Sequence, residues 1–385
     1  MAHSADQMTY VYLDHAATSP LRPEARVAME PFGDVLYANP SGSHKFAREA
    51  RRAVDEARDM VASAIGCKPG EIIFTSGGTE GANSAILGTI RRRGGTAVCT
   101  ASEHHAVLHC VEHVNGVVVP ITSDGPVDAG VVRQILSETD NVSVVSVMAV
   151  NNETGAINDI EQVSHAVRGR AEGAVFHTDA VQAACWIDLR TVWPHVDVLT
   201  LSAHKFGGPK GVGVMVVREG VTLEPLILGG GQERDRRSGT HNVAGIVGTA
   251  VALRVTDEQR QHEVARVRAL RDQLLNGLTS RIECAVATLP HGAGSAGTAH
   301  VCLDGLESES LLYLLDTAGV CVSAASACAS GAMEPSHVLE AMGLPASRIK
   351  GSLRFSLGHT TTEEDVVTAV DATVVAAERL LAVRK

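Results

Sequence analysis

Aromatic residues make up only 3% of the 385-residue chain, so its interior must be filled by Val, Ala, Leu and Ile. No apolar run approaches the roughly 18 residues of a membrane span. Met1–Gln7 is short and polar and lacks the apolar stretch of a secretory signal; Met8 is a candidate native start. Excess positive charge is missing too. A formal net charge of −11 repels phosphate, which argues against direct contact with nucleic acid or an anionic membrane surface. The eight cysteines form neither a CxxC pair nor a Cys/His metal spacing. They read as reduced thiols in a cytoplasmic protein. There is no internal repeat, and the one biased stretch is the Gly-rich loop His291–Gly297.

What is present is alternation. Glu71–Thr75, Ala97–Thr100, Val142–Val150, Ala174–His177, Val198–Ser202 and Gly213–Val217 are short, apolar and bounded by turn residues. Between them lie helical patterns such as Ala47–Ile65, apolar on one face and Arg/Glu-rich on the other. The pattern predicts an α/β fold with a mostly parallel, seven-stranded-type sheet between helices. From about residue 257 the character changes. A long charged helix, Asp257–Leu278, leads into strands at Thr298–Leu303, Val320–Ser323 and Ser352–Leu357, with helices at Ser308–Thr317 and Thr362–Val383. Two domains are expected: a large one over 14–256, and a smaller α+β one from 1–13 and 257–385.

Several stretches carry chemistry. Ser202-Ala203-His204-Lys205-Phe206-Gly207-Gly208 places a lysine at a strand's C-terminal end, where open α/β sheets bind ligands, with glycines that permit close approach. A solvated turn lysine is the plain alternative. Asp179 and Gln182 follow another strand and can reach one ligand. A carboxylate there is what a pyridine nitrogen needs to stay protonated and withdraw electrons. Ser76-Gly77-Gly78-Thr79 opens a helix with bared N–H groups, as a phosphate site or a simple cap; it is not a P-loop. His104, in Glu103-His104-His105, can stack on a flat ring and move protons. Adjacent histidines on a helix do not converge on an ion, so no metal site is expected. Cys328 lies among Ala, Ser and Gly, accessible for reaction unless it is an incidental surface thiol. Arg354 lies inside an apolar strand, where a guanidinium grips either a substrate carboxylate or a structural counter-ion.

Taken together the chain resembles the NifS/IscS-like cysteine desulfurases, within the class V branch of fold-type I pyridoxal-phosphate enzymes. The resemblance runs almost end to end: YLDHAAT from Tyr12, FTSGGTE from Phe74, EHHAVL from Glu103, VNNETG from Val150, HTDAVQ from His177, SAHKFGGPKGVG from Ser202, GGGQERDRRSGT from Gly229, SACASGAMEPSHVL from Ser326 and LRFSLG from Leu353. It implies pyridoxal 5'-phosphate (PLP) as cofactor, held covalently by Lys205, with Asp179 on the pyridinium. Gln182 and Asn152 would contact the ring hydroxyl side and His104 would stack on the ring. Gly78, Thr79, Ser202 and His204 would hold the phosphate, joined by Thr240 from the second subunit of a homodimer. Arg354, with Asn152, would hold the carboxylate of L-cysteine, and Cys328 would accept its sulfur as a persulfide, releasing L-alanine.

The resemblance further implies a protein sulfur acceptor, whether an iron–sulfur scaffold or a partner in tRNA thiolation or DNA phosphorothioation. Two departures stand out. Ala324-Ala325 replaces the family's Ser-Gly, which predicts an ordered segment before Cys328 that continues the Val320–Ser323 strand. The chain also ends soon after its last helix, where some relatives carry a scaffold-docking tail. Rival readings are a selenocysteine lyase or aminotransferase, which would need Lys205 and Asp179 but not Cys328, and a non-catalytic sulfur-relay scaffold.

Overall fold

The computed structural model describes residues 10–324 and 335–383; Ala325 and Cys328, and the expectations attached to them, lie outside the described residues. The strands are Val11–Tyr12 (β1), Ile72–Thr75 (β2), Thr96–Thr100 (β3), Val117–Val119 (β4), Val142–Ser146 (β5), Val175–Asp179 (β6), Val198–Ser202 (β7), Gly213–Val217 (β8), Ala285–Ala287 (β9), Thr298–Leu303 (β10), Val320–Cys321 (β11) and Ser352–Ser356 (β12). Seven form one sheet in the order β2-β8-β7-β6-β5-β3-β4. Pairings from β7 to β4 are parallel, and β8 is antiparallel to both neighbours. This is the mostly parallel α/β sheet that the alternating pattern predicts.

Both faces of that sheet are covered. Phe74, Val98, Val145, Phe176, Leu199 and Val214 pack on one side. Ile73, Ala97, Cys99, Val144, Val175 and Met215 pack on the other. Near-continuous β-branched runs suit strands buried on both faces, because each pleat then meets apolar side chains. A second sheet, β12-β10-β9, is antiparallel, and β1 pairs with β11 in parallel. Val11, Leu13, Val301, Leu353 and Phe355 share its apolar cluster.

Helix and strand limits differ from the sequence reading at instructive places. The helix expected at Asp257–Leu278 runs from Val243 to Arg281, so the expected division at 256/257 falls inside one continuous helix. Its first part buries Ile246, Gly248, Ala250, Ala252 and Leu253. Burial nearly all round erases the polar face that marks an amphipathic helix. The run Val142–Val150 ends as a strand at Ser146, though Val147 and Ala149 still donate N–H groups to His177 and Asp179 carbonyls. The helix Lys45–Ile65 matches expectation closely, capped by the His44 ring and closed by Gly66 in the left-handed region.

One loop is held in an unusual backbone shape. Glu233, Arg234 and Asp235 all have positive φ, a conformation non-glycine residues adopt at a cost. Glu233 is buried and anchors the turn. Arg58 grips its carboxylate with two N–H groups at 2.8 and 2.9 Å, and His241 Nε2 lies 2.8 Å away. Burial opposes ionisation, but the hydrogen bonds from His241 and Arg58 outweigh it and pull Glu233 down to about 2. Because the folded-state value is depressed, this stabilisation is present above the ordinary glutamate range and is lost as pH falls towards 2. Glu233→Ala should strand the buried Arg58 and cost about 3–5 kcal/mol, read as a lower denaturant midpoint at neutral pH. An unchanged midpoint would mean the loop is held by other contacts.

Candidate active site

The C-terminal ends of the parallel strands open on a cavity of about 330 Å³, at the small end of the roughly 300–1,000 Å³ typical of ligand sites. Lys205 sits in a short turn just after β7. Its Nζ donates to the carbonyls of Ala16 at 2.5 Å and Ala17 at 2.8 Å. Burial, then the charge of Arg354, push the Lys205 ammonium down to about 8. A neutral amine is therefore accessible near physiological pH.

Asp179 ends β6 and is buried. Its Oδ1 accepts from the Val181 N–H at 2.9 Å, leaving the other oxygen for a cationic partner in the cavity. Burial raises it to about 6, against the Val181 hydrogen bond and the charge of Lys205, which favour the carboxylate. Gln182 donates to the Ala16 carbonyl at 2.9 Å, the acceptor it shares with Lys205. His104 caps the helix His105–His113 through Nδ1 and lines the cavity. Its loss of water, with the Lys205 charge second, pushes it down to about 4, so it is a neutral imidazole in the working range.

At one end of the cavity the 16-residue helix Gly78–Arg93 begins. Its first N–H groups lack helical partners, and the helix dipole adds positive potential there. A Cβ at Gly78 would come within 2.6 Å of Val181 Cγ2, so that side chain would have to shift to admit one. Thr79, Ser202 and His204 line the same cavity. His204 Nδ1 lies 3.2 Å from the Thr18 hydroxyl and is neutral, held at about 4 by burial and the neighbouring lysines.

Arg354 enters from β12. Nη1 donates to the Asn152 carbonyl and Nη2 pairs with Asp14, both at 2.8 Å. Asn152 Oδ1 is buried without a partner among the described residues. Thr240 is exposed and does not line this chain's cavity, although its loop is tied to the helix start through Arg237 and Glu80. Gly78, Thr79, His104, Asn152, Asp179, Gln182, Ser202, His204, Lys205 and Arg354 thus share one cavity. Asp14, Met148 and Ser323 also line it. The acid within YLDHAAT was the signal for Asp14; nothing local marks the other two.

A buried carboxylate beside a low-pKa lysine, a bared helix start and an unpartnered amide oxygen fit a phosphorylated pyridine aldehyde such as PLP. A parallel-sheet fold with such a lysine after a strand defines a class of cofactor enzymes. Comparison with known proteins narrows it: a family model described as aminotransferase class-V matches residues 11–368, and the chain belongs to that family, whose members use PLP. It is 42% identical over 379 residues, 94% of each chain, to an IscS-like cysteine desulfurase of Mycobacterium tuberculosis. Among solved structures it resembles a NifS-like protein (33% identity, 97% of this chain and 100% of the other, TM-score 0.90). It also resembles a structure described as SspA in complex with cysteine (30% identity, 91% and 99% covered, TM-score 0.77).

Lys205→Ala should abolish cofactor that survives borohydride reduction and denaturation. Cofactor still fixed to the variant would transfer the role to another lysine, Lys210 being next in the turn.

Proposed function

We propose that this chain is a cysteine desulfurase that moves sulfur from L-cysteine to Cys328 and releases L-alanine. The observation that carries the reading is the meeting of Lys205, Asp179 and Arg354 around one cavity. Support comes from relatives that carry the name cysteine desulfurase at about 40% identity over nearly the whole chain.

When bound, PLP supplies an electron sink that acidifies the α-proton of an attached amino acid. Asp179 keeps a negative charge opposite the ring nitrogen, and the helix start at Gly78 and Thr79, with Ser202 and His204, holds the phosphate. His104, uncharged, covers a ring face without adding repulsion. Arg354 orients the substrate carboxylate, with Asn152 beside it. Lys205, once its nitrogen is free, takes the α-proton; its lowered pKa makes it a competent base. Cys328 as thiolate then attacks the substrate sulfur. The S–S bond forms as the C–S bond breaks, and the bonding pair stays with carbon, which takes a proton and leaves as alanine.

The same reading assigns residues 14–256 to a large cofactor domain, and 1–13 with 257–385 to a small one. It also makes the protein a homodimer. Thr240 is exposed in one copy, as are the apolar side chains of Val35, Tyr37 and Leu228, which a second copy would bury. The sulfur then passes to a protein acceptor or iron–sulfur scaffold. No helix among the described residues is long and apolar enough to cross a membrane, and a cytoplasmic setting is proposed on the reduced-thiol pattern.

Cys328→Ser should keep the change in cofactor absorbance on adding L-cysteine while sulfide release under a reductant falls to background. Sulfide at the wild-type rate would point to Cys321 or to a lyase mechanism. The rate at which the cofactor-free protein takes up PLP covalently should rise between pH 7 and about 9, since Lys205 attacks the aldehyde as the free amine and sheds its proton near 8. A rate that falls over that range would contradict this role.

A further inference from the structure

Arg354 is gripped more fully than a simple substrate hook requires. Its side chain is 6% exposed, so its charge needs a nearby counter-ion. Asp14 Oδ1 supplies it at 2.8 Å, and no other carboxylate among the described residues pairs with this guanidinium. Nη1 is taken by the Asn152 carbonyl, and Nε is buried without a partner, closed to anything arriving from the cavity. The backbone cannot shift to present another edge. The Arg354 N–H and carbonyl are both bonded to Ser323, at 2.7 and 3.2 Å, and His300 faces it across the β10–β12 register. An incoming carboxylate therefore meets the outer edges of Nη1 and Nη2, and Asp14 already sits on Nη2.

Two carboxylates on one guanidinium repel each other. Asp14 lines the same cavity and is 24% exposed, so it has room to swing towards water when displaced. We infer that Asp14 is a built-in carboxylate that competes with substrate and product for Arg354. This inference rests on the reading that Arg354 holds the substrate carboxylate. Cysteine and alanine present the same carboxylate, so the competition weakens both, and its benefit is faster departure of alanine. Asp14 thus sets how strongly any amino acid is retained.

Asp14→Asn, prepared as the cofactor-loaded enzyme, tests this with L-alanine as the probe. Dissociation of alanine, followed through the cofactor's visible band, and the KM for L-cysteine should both fall about three- to tenfold, with kcat falling as alanine is held longer. A residue that merely aligned Arg354 would give the opposite sign, with weaker alanine binding and a higher KM; that result, or no change, overturns the inference. Arg354→Gln separates the two layers. If it weakens neither ligand, the assignment of Arg354 fails; if it weakens both while Asp14→Asn tightens neither, only the competition fails. Should Asp14→Asn not fold, Asp14→Glu keeps the carboxylate one methylene longer and should retain weak alanine binding. Tighter binding in Asp14→Glu would contradict the inference.

Discussion

The segment Asp14–Ser19 ties the ends of three strands together, and the site depends on that tie. The Ala16 carbonyl accepts from both Lys205 and Gln182, while the Ala16 N–H donates to the Ser356 hydroxyl. The Ser19 N–H donates to the His204 carbonyl, its hydroxyl to that of Lys205, and Asp14 pairs with Arg354. Buried polar groups without such partners cost far more than the net gain of a made bond. The strap thus fixes Lys205 after β7 and Arg354 of β12 relative to each other, although the two strands belong to different sheets.

The charges around the cavity are balanced close to their switching points for the same reason. Burial drives Lys205 down and Asp179 up, so both titrate near neutrality instead of at their usual extremes. Glu103, immediately before His104, is pushed by burial up to about 8, and its Oε1 accepts from the Met148 N–H and the Thr100 hydroxyl. It holds the turn that presents His104 without placing a full charge beside Asp179 at neutral pH.

Much of this was legible in the residues. Strands of the large sheet are Val-rich and bounded by turns, and Lys205, Asp179 and Gly78 each sit where an open α/β sheet places ligands. Other features were hidden by identifiable physics. β4 and β9 are three residues long, too short for a periodic signal. The first turns of the Val243–Arg281 helix are apolar on most sides, which masks their period. The Asp14–Arg354 pair joins residues 340 apart, and no local pattern announces it. Sequence left Arg354 open between a structural counter-ion and a substrate carboxylate; the fold supplies the counter-ion and places it on the wall of the cavity.

The central claim is that sulfur leaves L-cysteine for Cys328. Mass spectrometry of peptides from the cofactor-loaded protein, after one equivalent of L-cysteine without reductant and with free thiols then alkylated, tests it most directly. The account predicts that the Cys328 peptide gains one sulfur atom, with an equal amount of alanine formed. Alanine formed with the extra sulfur on Cys321, or with free sulfide and an unmodified Cys328 peptide, would contradict it.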